Sequence, residues 1–152
     1  MRVAAARTIE ASAEEVYAFL ENLGNHWQLT SGFASVETLV DPPGDAEGAR
    51  IVVHGPLGIR KRARTRLLRC EPPSASGAGV VAGTARDAAG TTAEVEWRVT
   101  PAGASTRVEL VAAIDDARGV DRLLVALGAG RWIRRGLQRS LARLAEALAQ
   151  RR

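Results

Sequence analysis

Alternation of apolar and polar positions dominates the middle of the chain, and a 3.6-residue period closes it. Ala93, Val95, Trp97 and Val99 alternate with Thr92, Glu94, Glu96 and Arg98, and Val108, Leu110, Ala112 and Ile114 alternate with Arg107 and Glu109. Each run predicts a strand with one face to bury, joined by the Pro101-Ala102-Gly103 turn. Upstream, Phe33 to Val40 and Ala49 to His54 predict two strands, closed by Asp41-Pro42-Pro43-Gly44-Asp45 and Gly55-Pro56-Leu57-Gly58. Arg60, Arg62, Arg64 and Arg66 then alternate with Lys61, Ala63, Thr65 and Leu67, so one face of this strand is basic and the other small and mixed. Leu68 and Cys70 break the register and place a bulge or the strand's end there. Val80 to Ala85 predicts a further strand after the Glu71-Pro72-Pro73-Ser74 turn.

Near the start, Val3, Ala5 and Ile9 share one side of a first strand over residues 2 to 10. Ser12-Ala13-Glu14-Glu15 has the spacing of a capping box, and Val16, Phe19, Leu20 and Leu23 follow at helical intervals, with Gly24 as a left-handed terminator. Asn25 to Thr30, holding His26 and Trp27, predicts a second, shorter helical turn. From Gly119 to Gln150 one long amphipathic helix is predicted, its stripe traced by Val120, Leu123, Leu127, Ile133, Leu137, Leu141, Leu144 and Leu148.

The order is therefore strand, two short helices, about six strands joined by hairpins, and one long helix whose stripe needs a partner. Only the sheet is large enough to supply it. A twisted antiparallel sheet curls, and a curled sheet gripping one helix leaves an apolar gap wherever facing side chains are small. Small residues stand where such a gap would form: Ala63 and Ala93 on the sheet, and Ala126-Leu127-Gly128-Ala129-Gly130 in the helix. Close packing of helix on sheet is the other explanation of the two glycines, each of which costs a helix about 1 kcal/mol against alanine.

Composition narrows the class. The 152 residues are 25% charged, 46% apolar and 4% aromatic, which suits a single domain over residues 1–152 with a sizeable core and no internal repeat. Cys70 is the only cysteine, so no intrachain disulfide forms, and a reducing, cytoplasmic setting is expected. The opening Met1-Arg2-Val3-Ala4-Ala5-Ala6-Arg7 lacks the apolar centre of a signal peptide, and no membrane-spanning run occurs. Residues 118 to 152 carry nine Arg against Asp121 and Glu146, whereas the preceding 117 carry twelve basic and fifteen acidic groups. The basic excess thus belongs to the C-terminal segment.

The element order, with Ile9-Glu10-Ala11-Ser12-Ala13-Glu14-Glu15-Val16-Tyr17 opening it, Trp27 after the first helix, the Gly55-Pro56-Leu57-Gly58 hairpin and the long final helix, resembles the SRPBCC or START-like helix-grip superfamily of polyketide cyclase/dehydrase and lipid-transport domains. The resemblance spans nearly the whole chain. It implies an α+β fold in which a curved antiparallel sheet of about seven strands wraps a long C-terminal helix. It also implies a deep cavity for a small apolar or amphipathic molecule, in proteins that bind, carry or cyclise their ligands. On that basis Trp27, Ala63, Thr65, Leu67, Trp97, Val99, Leu110, Leu123 and Leu127 are the expected cavity lining.

Three functions stay open at this stage: a ligand carrier or binding protein, a polyketide aromatase/cyclase-type enzyme, and an interaction protein with a filled core. The enzyme would need Tyr17, His54 or Thr65 to aim at a bound carbonyl or hydroxyl. His54 reads more readily as a solvent-facing strand end than as a rim donor or cavity base, and His26 either orients the cavity mouth or lies in an exposed loop. Neither histidine sits in a metal-ligand spacing, so no metal is expected. No nucleophile elbow, P-loop or dinucleotide fingerprint occurs, and no cofactor is expected. Arg131, Arg135, Arg139 and Arg143, with Arg134 beside them, form a basic band on the last helix. A solvated face accounts for the band, and so does peripheral contact with an anionic membrane. Nucleic acid is disfavoured, because among these arginines only Trp132 offers an aromatic platform.

Overall fold

Ser12 fixes where the first helix begins. Its hydroxyl accepts the Glu15 amide at 3.2 Å while the Glu15 carboxylate accepts the Ser12 amide at 2.9 Å, the reciprocal pair of a capping box. The computed structural model describes residues 1–30, 34–39 and 48–152. In it β1 (Arg2–Ile9) leads into α1 (Ala13–Glu21) and α2 (Leu23–Leu29). There follow β2 (Ala34–Leu39), β3 (Ala49–His54), a 3-10 turn (Pro56–Gly58), β4 (Arg60–Glu71), β5 (Gly79–Asp87), β6 (Thr92–Ala102) and β7 (Ser105–Asp116). The chain closes with α3 (Val120–Ala126) and α4 (Gly130–Gln150). Phe33, Val40 and the turn over 41–45 lie outside the described residues.

Two helix boundaries differ from the expectation. Asn22, not Gly24, separates the first two helices: it takes an extended conformation, and its side chain accepts the Gly24 amide at 3.0 Å. Asparagine is a strong N-cap, so the chain re-enters a helix at once and Gly24 lies inside α2. The C-terminal stripe is likewise not one helix. Gly128 has φ 89°, its amide donates to the Val125 carbonyl at 3.2 Å, and the Ala129 amide donates to the Leu124 carbonyl at 3.0 Å. That closure ends α3 whatever apolar pattern lies on either side, because a left-handed residue cannot continue the helix.

All seven strands pair antiparallel in the order β1-β7-β6-β5-β4-β3-β2. Register shifts at Val36/Thr38, Leu67/Arg69 and Thr92/Ala93 bend the strands, and the curved sheet folds around α4 as a helix-grip α+β fold. The second of these shifts is the bulge that Leu68 foretells, although β4 runs on to Glu71. Across from it the backbones approach closely: a Cβ on Gly83 would lie 2.7 Å from the Arg66 carbonyl oxygen, so a larger residue would force the strands apart.

The main core gathers Val16, Phe19 and Leu20 of α1, Val99 and Val108 of the sheet, and Leu137, Leu141, Leu144 and Leu148 of α4. The buried Thr106 hydroxyl donates to the Ala11 carbonyl at 2.7 Å and ties β7 to the entrance of α1. A smaller cluster of Ala34, Ala49, Ile51 and Ala63 lies toward the β2 edge, with Trp27 and Val53 packed on it.

Candidate functional site

Between the concave face of the sheet and the α3–α4 segment lies a cavity of about 320 Å³. Period-2 geometry decides what reaches it. On β4 the inward face presents Lys61, Ala63, Thr65 and Leu67, while Arg60, Arg62 and Arg64 are exposed on the other side. β5 adds Gly83 and Ala85, β6 adds Ala93, Val95 and Trp97, and β7 adds Leu110, Ala112 and Ile114. Five of these are alanine or glycine, too short to meet the helices, and this shortage of side-chain volume is what leaves the space. α2 contributes His26 and Trp27, and Ile51, Val53, Pro56 and Ile59 close the β3–β4 side. Leu124 and Val125 of α3, with Trp132, Ile133, Gly136 and Ser140 of α4, form the opposite wall. All three tryptophans of the chain therefore border the cavity.

Of the expected lining residues, Trp27, Ala63, Thr65, Leu67, Trp97 and Leu110 stand on this wall. Val99 does not. It is fully buried further along β6, in the main core. Leu123 and Leu127 do not either, being 59% and 72% exposed, with Val120 at 52%. Their expected inward position assumed one continuous helix; the break at Gly128 separates α3 from α4, and Leu124 and Val125 take the inner side.

The polar candidates are dispersed. Tyr17 is buried on α1 away from the cavity, and burial, reinforced by Cys70, Glu21 and Glu71 nearby, pushes its hydroxyl pKa up. His54 lies outside the lining, its Nε2 3.0 Å from the Ser35 hydroxyl. Thr65 is in the wall, but its hydroxyl donates to the Ala49 carbonyl at 3.3 Å. The three groups needed to share a substrate are not brought together.

His26 belongs to the cavity wall and not to an exposed loop. Its ring meets Trp97 edge-on with centroids 6.0 Å apart, and its Nε2 is hydrogen-bonded to the Leu20 carbonyl. Burial lowers its pKa, against the opposing effect of that hydrogen bond, so the imidazole is neutral at pH 7. With Nε2–H donated to a carbonyl, Nδ1 is the acceptor nitrogen. Beside it, the buried Trp27 indole N–H has no hydrogen-bond partner among the described residues, and such an unpaired donor costs about 1–3 kcal/mol.

Sequence reasoning missed an ionic group at the α3 end. Lys61 Nζ lies 3.2 Å from Asp87 Oδ2 and 2.5 Å from Asp121 Oδ2, and all three residues line the cavity. Alternation places Lys61 on the inner face with Ala63. Nothing local pairs it with carboxylates at positions 87 and 121, which reach it only through strand pairing and the packing of α3. On α4, Arg131, Arg134, Arg135, Arg139 and Arg143 are exposed, with Arg143 Nη1 reaching the Gln28 carbonyl at 3.5 Å. Among the described residues no His, Cys, Asp or Glu group is arranged to hold a metal, and no helix is long and apolar enough to cross a membrane.

Comparison with known proteins agrees with this architecture. Residues 1–149 match the family model described as polyketide cyclase / dehydrase and lipid transport. The crystal structure of TTHA0849 from Thermus thermophilus superposes with a TM-score of 0.69 at 19% identity, covering 99% of this chain and 98% of that one. The solution structure of KanY protein (ms6282) gives 0.71 at 16% identity, covering 98% and 97%. DynU16, from the dynemicin biosynthetic locus, gives 0.60 at 16% identity, covering 97% of this chain but 47% of its own. At these identities the likeness is one of fold. No match is found among curated proteins.

Proposed function

The chain belongs to the polyketide cyclase/dehydrase and lipid-transport family, and on that premise we propose that it binds one small apolar or amphipathic molecule between sheet and helices, as a carrier or binding protein. The observation that carries this reading is the cavity itself, walled by Trp27, Trp97 and Trp132 and left open by the alanines of β4 to β7. Large rigid rings with short aliphatic neighbours make the apolar concave wall typical of small-molecule pockets, and about 320 Å³ is near the lower end of their usual size. A filled-core interaction protein would have no use for this space. A cyclase-type reaction would have to draw on groups other than Tyr17, His54 and Thr65, since two of these lie outside the cavity and the third commits its hydroxyl to Ala49.

Titration with a neutral fluorescent probe such as N-phenyl-1-naphthylamine is expected to saturate at one molecule per chain. Ala63→Phe, which places a ring in the wall, should abolish that binding while far-ultraviolet circular dichroism stays unchanged. Full binding by the folded Ala63→Phe protein would overturn the assigned pocket. Native mass spectrometry of protein purified from its own host should then show a retained small molecule.

A further inference from the structure

At its α3 end the cavity wall holds an ion cluster, where the only lysine of the chain meets two carboxylates. The side chains of Lys61, Asp87 and Asp121 are 25%, 10% and 17% exposed. Burial works against both charges, yet the hydrogen bonds and charges of Asp121 and Asp87 hold the Lys61 ammonium above its ordinary pKa. Burial likewise opposes the Asp87 carboxylate, but hydrogen bonds from Lys61 and the Thr91 amide keep it below the usual carboxylate value. Asp87 is also fixed in place, its Oδ1 accepting the Thr91 amide at 2.9 Å within the β5–β6 turn. A partly buried ion cluster must recover the desolvation of every member, so it contributes little to stability unless its remaining hydrogen-bonding capacity is used.

That capacity is specific. An ammonium has three N–H donors, and Lys61 directs two of them at Asp87 and Asp121. The third has no protein partner among the described residues, and Lys61 is one of the residues that line the cavity. The carboxylates keep unfilled lone pairs, since each offers about four acceptor sites. The formal charges of Lys61, Asp87 and Asp121 sum to −1, so a carboxylate guest would crowd three carboxyl groups around one ammonium. A hydroxyl does not: its oxygen accepts from Lys61 while its proton goes to a carboxylate oxygen.

Resting on the cavity-binding reading above, we propose that Lys61, Asp87 and Asp121 form the head-group site of the cavity, and that it selects an uncharged alcohol or phenol hydroxyl over an acid on the same apolar body. The apolar remainder of the ligand then lies against Trp97 and Trp132.

The test is displacement of N-phenyl-1-naphthylamine by decan-1-ol and decanoate at neutral pH. Decan-1-ol should displace the probe at a concentration about tenfold below decanoate, the difference one charge-assisted hydrogen bond supplies. Lys61→Met, which removes the donor, should weaken displacement by decan-1-ol several fold without improving decanoate. Asp121→Asn, which keeps the size of the side chain and removes one carboxylate, should improve decanoate relative to decan-1-ol by several fold and keeps the test open if Lys61→Met does not fold. Equal displacement by both, or displacement unchanged in both variants, would overturn the head-group assignment and leave the cavity reading standing. If the probe itself does not bind, both fall together.

Discussion

The two halves of the α4 interface are built from different stock. Its C-terminal half sends Leu141, Leu144 and Leu148 into a wall of Val16, Phe19, Leu20, Val99 and Val108, where large side chains meet and little space is left. Its N-terminal half turns Trp132, Ile133 and Gly136 toward Ala63, Gly83, Ala85, Ala93 and Ala112, which cannot reach across. One sheet and one helix thus make a solid core at one end and a chamber at the other, and the difference is side-chain volume rather than backbone path. The solid half supplies the stability that lets the other half stay open, since interiors are otherwise close-packed and voids cost contact energy.

The largest effect should come from opening the solid half. Leu144→Ala removes a fully buried side chain and is expected to cost about 2–5 kcal/mol in urea denaturation. Probe affinity of the folded fraction should be unchanged; a loss of affinity would mean that the two halves are not independent.

Adding volume should have opposite signs in the two halves. Val99→Leu overfills the core and should destabilise by about 1–3 kcal/mol. Ala93→Leu enters the chamber and should stabilise by about 0.5–2 kcal/mol, as cavity filling commonly does, while weakening probe binding. Destabilisation of similar size by both would show that the chamber collapses in solution.

His26 gives the smallest expected effect. Its pKa is lower in the fold than the ordinary 6.5, so the unfolded chain takes the proton first as pH falls. The stability that depends on a neutral His26 is complete above about pH 6.5 and is lost as the pH drops through the lower folded value. Urea midpoints should therefore decline between about pH 7 and 5 in the parent protein and less steeply in His26→Phe. Parallel slopes would remove His26 as the cause.

What the sequence disclosed follows from the range of the forces involved. Ser12 and Glu15 are three residues apart, and their capping box is legible because both partners are local. The inner face of β4 is legible because alternation needs no knowledge of the partner strand, and Ala63, Thr65 and Leu67 fall on it together. The break in the final helix is hidden by its own stripe: Leu123 and Leu127 before Gly128, with Ile133 and Leu137 after it, continue the apolar pattern past a residue whose φ of 89° ends the helix. The ionic cluster is hidden for a different reason, since Lys61, Asp87 and Asp121 come from three separate elements. The lysine itself carries the available signal, as a long cation placed by alternation among small inward residues.

The pairing of β1 with β7 also bears on how the chain comes to be folded. Arg2 to Ile9 zip against Ala113 to Thr106, so the first strand of the sheet to leave the ribosome must wait for the last before its ladder can close. Contacts of such long sequence separation slow the search for the native topology. Until β7 emerges, the nascent sheet has neither its first strand nor the helix that covers it, and its apolar face stays open to whatever binds unfinished chains.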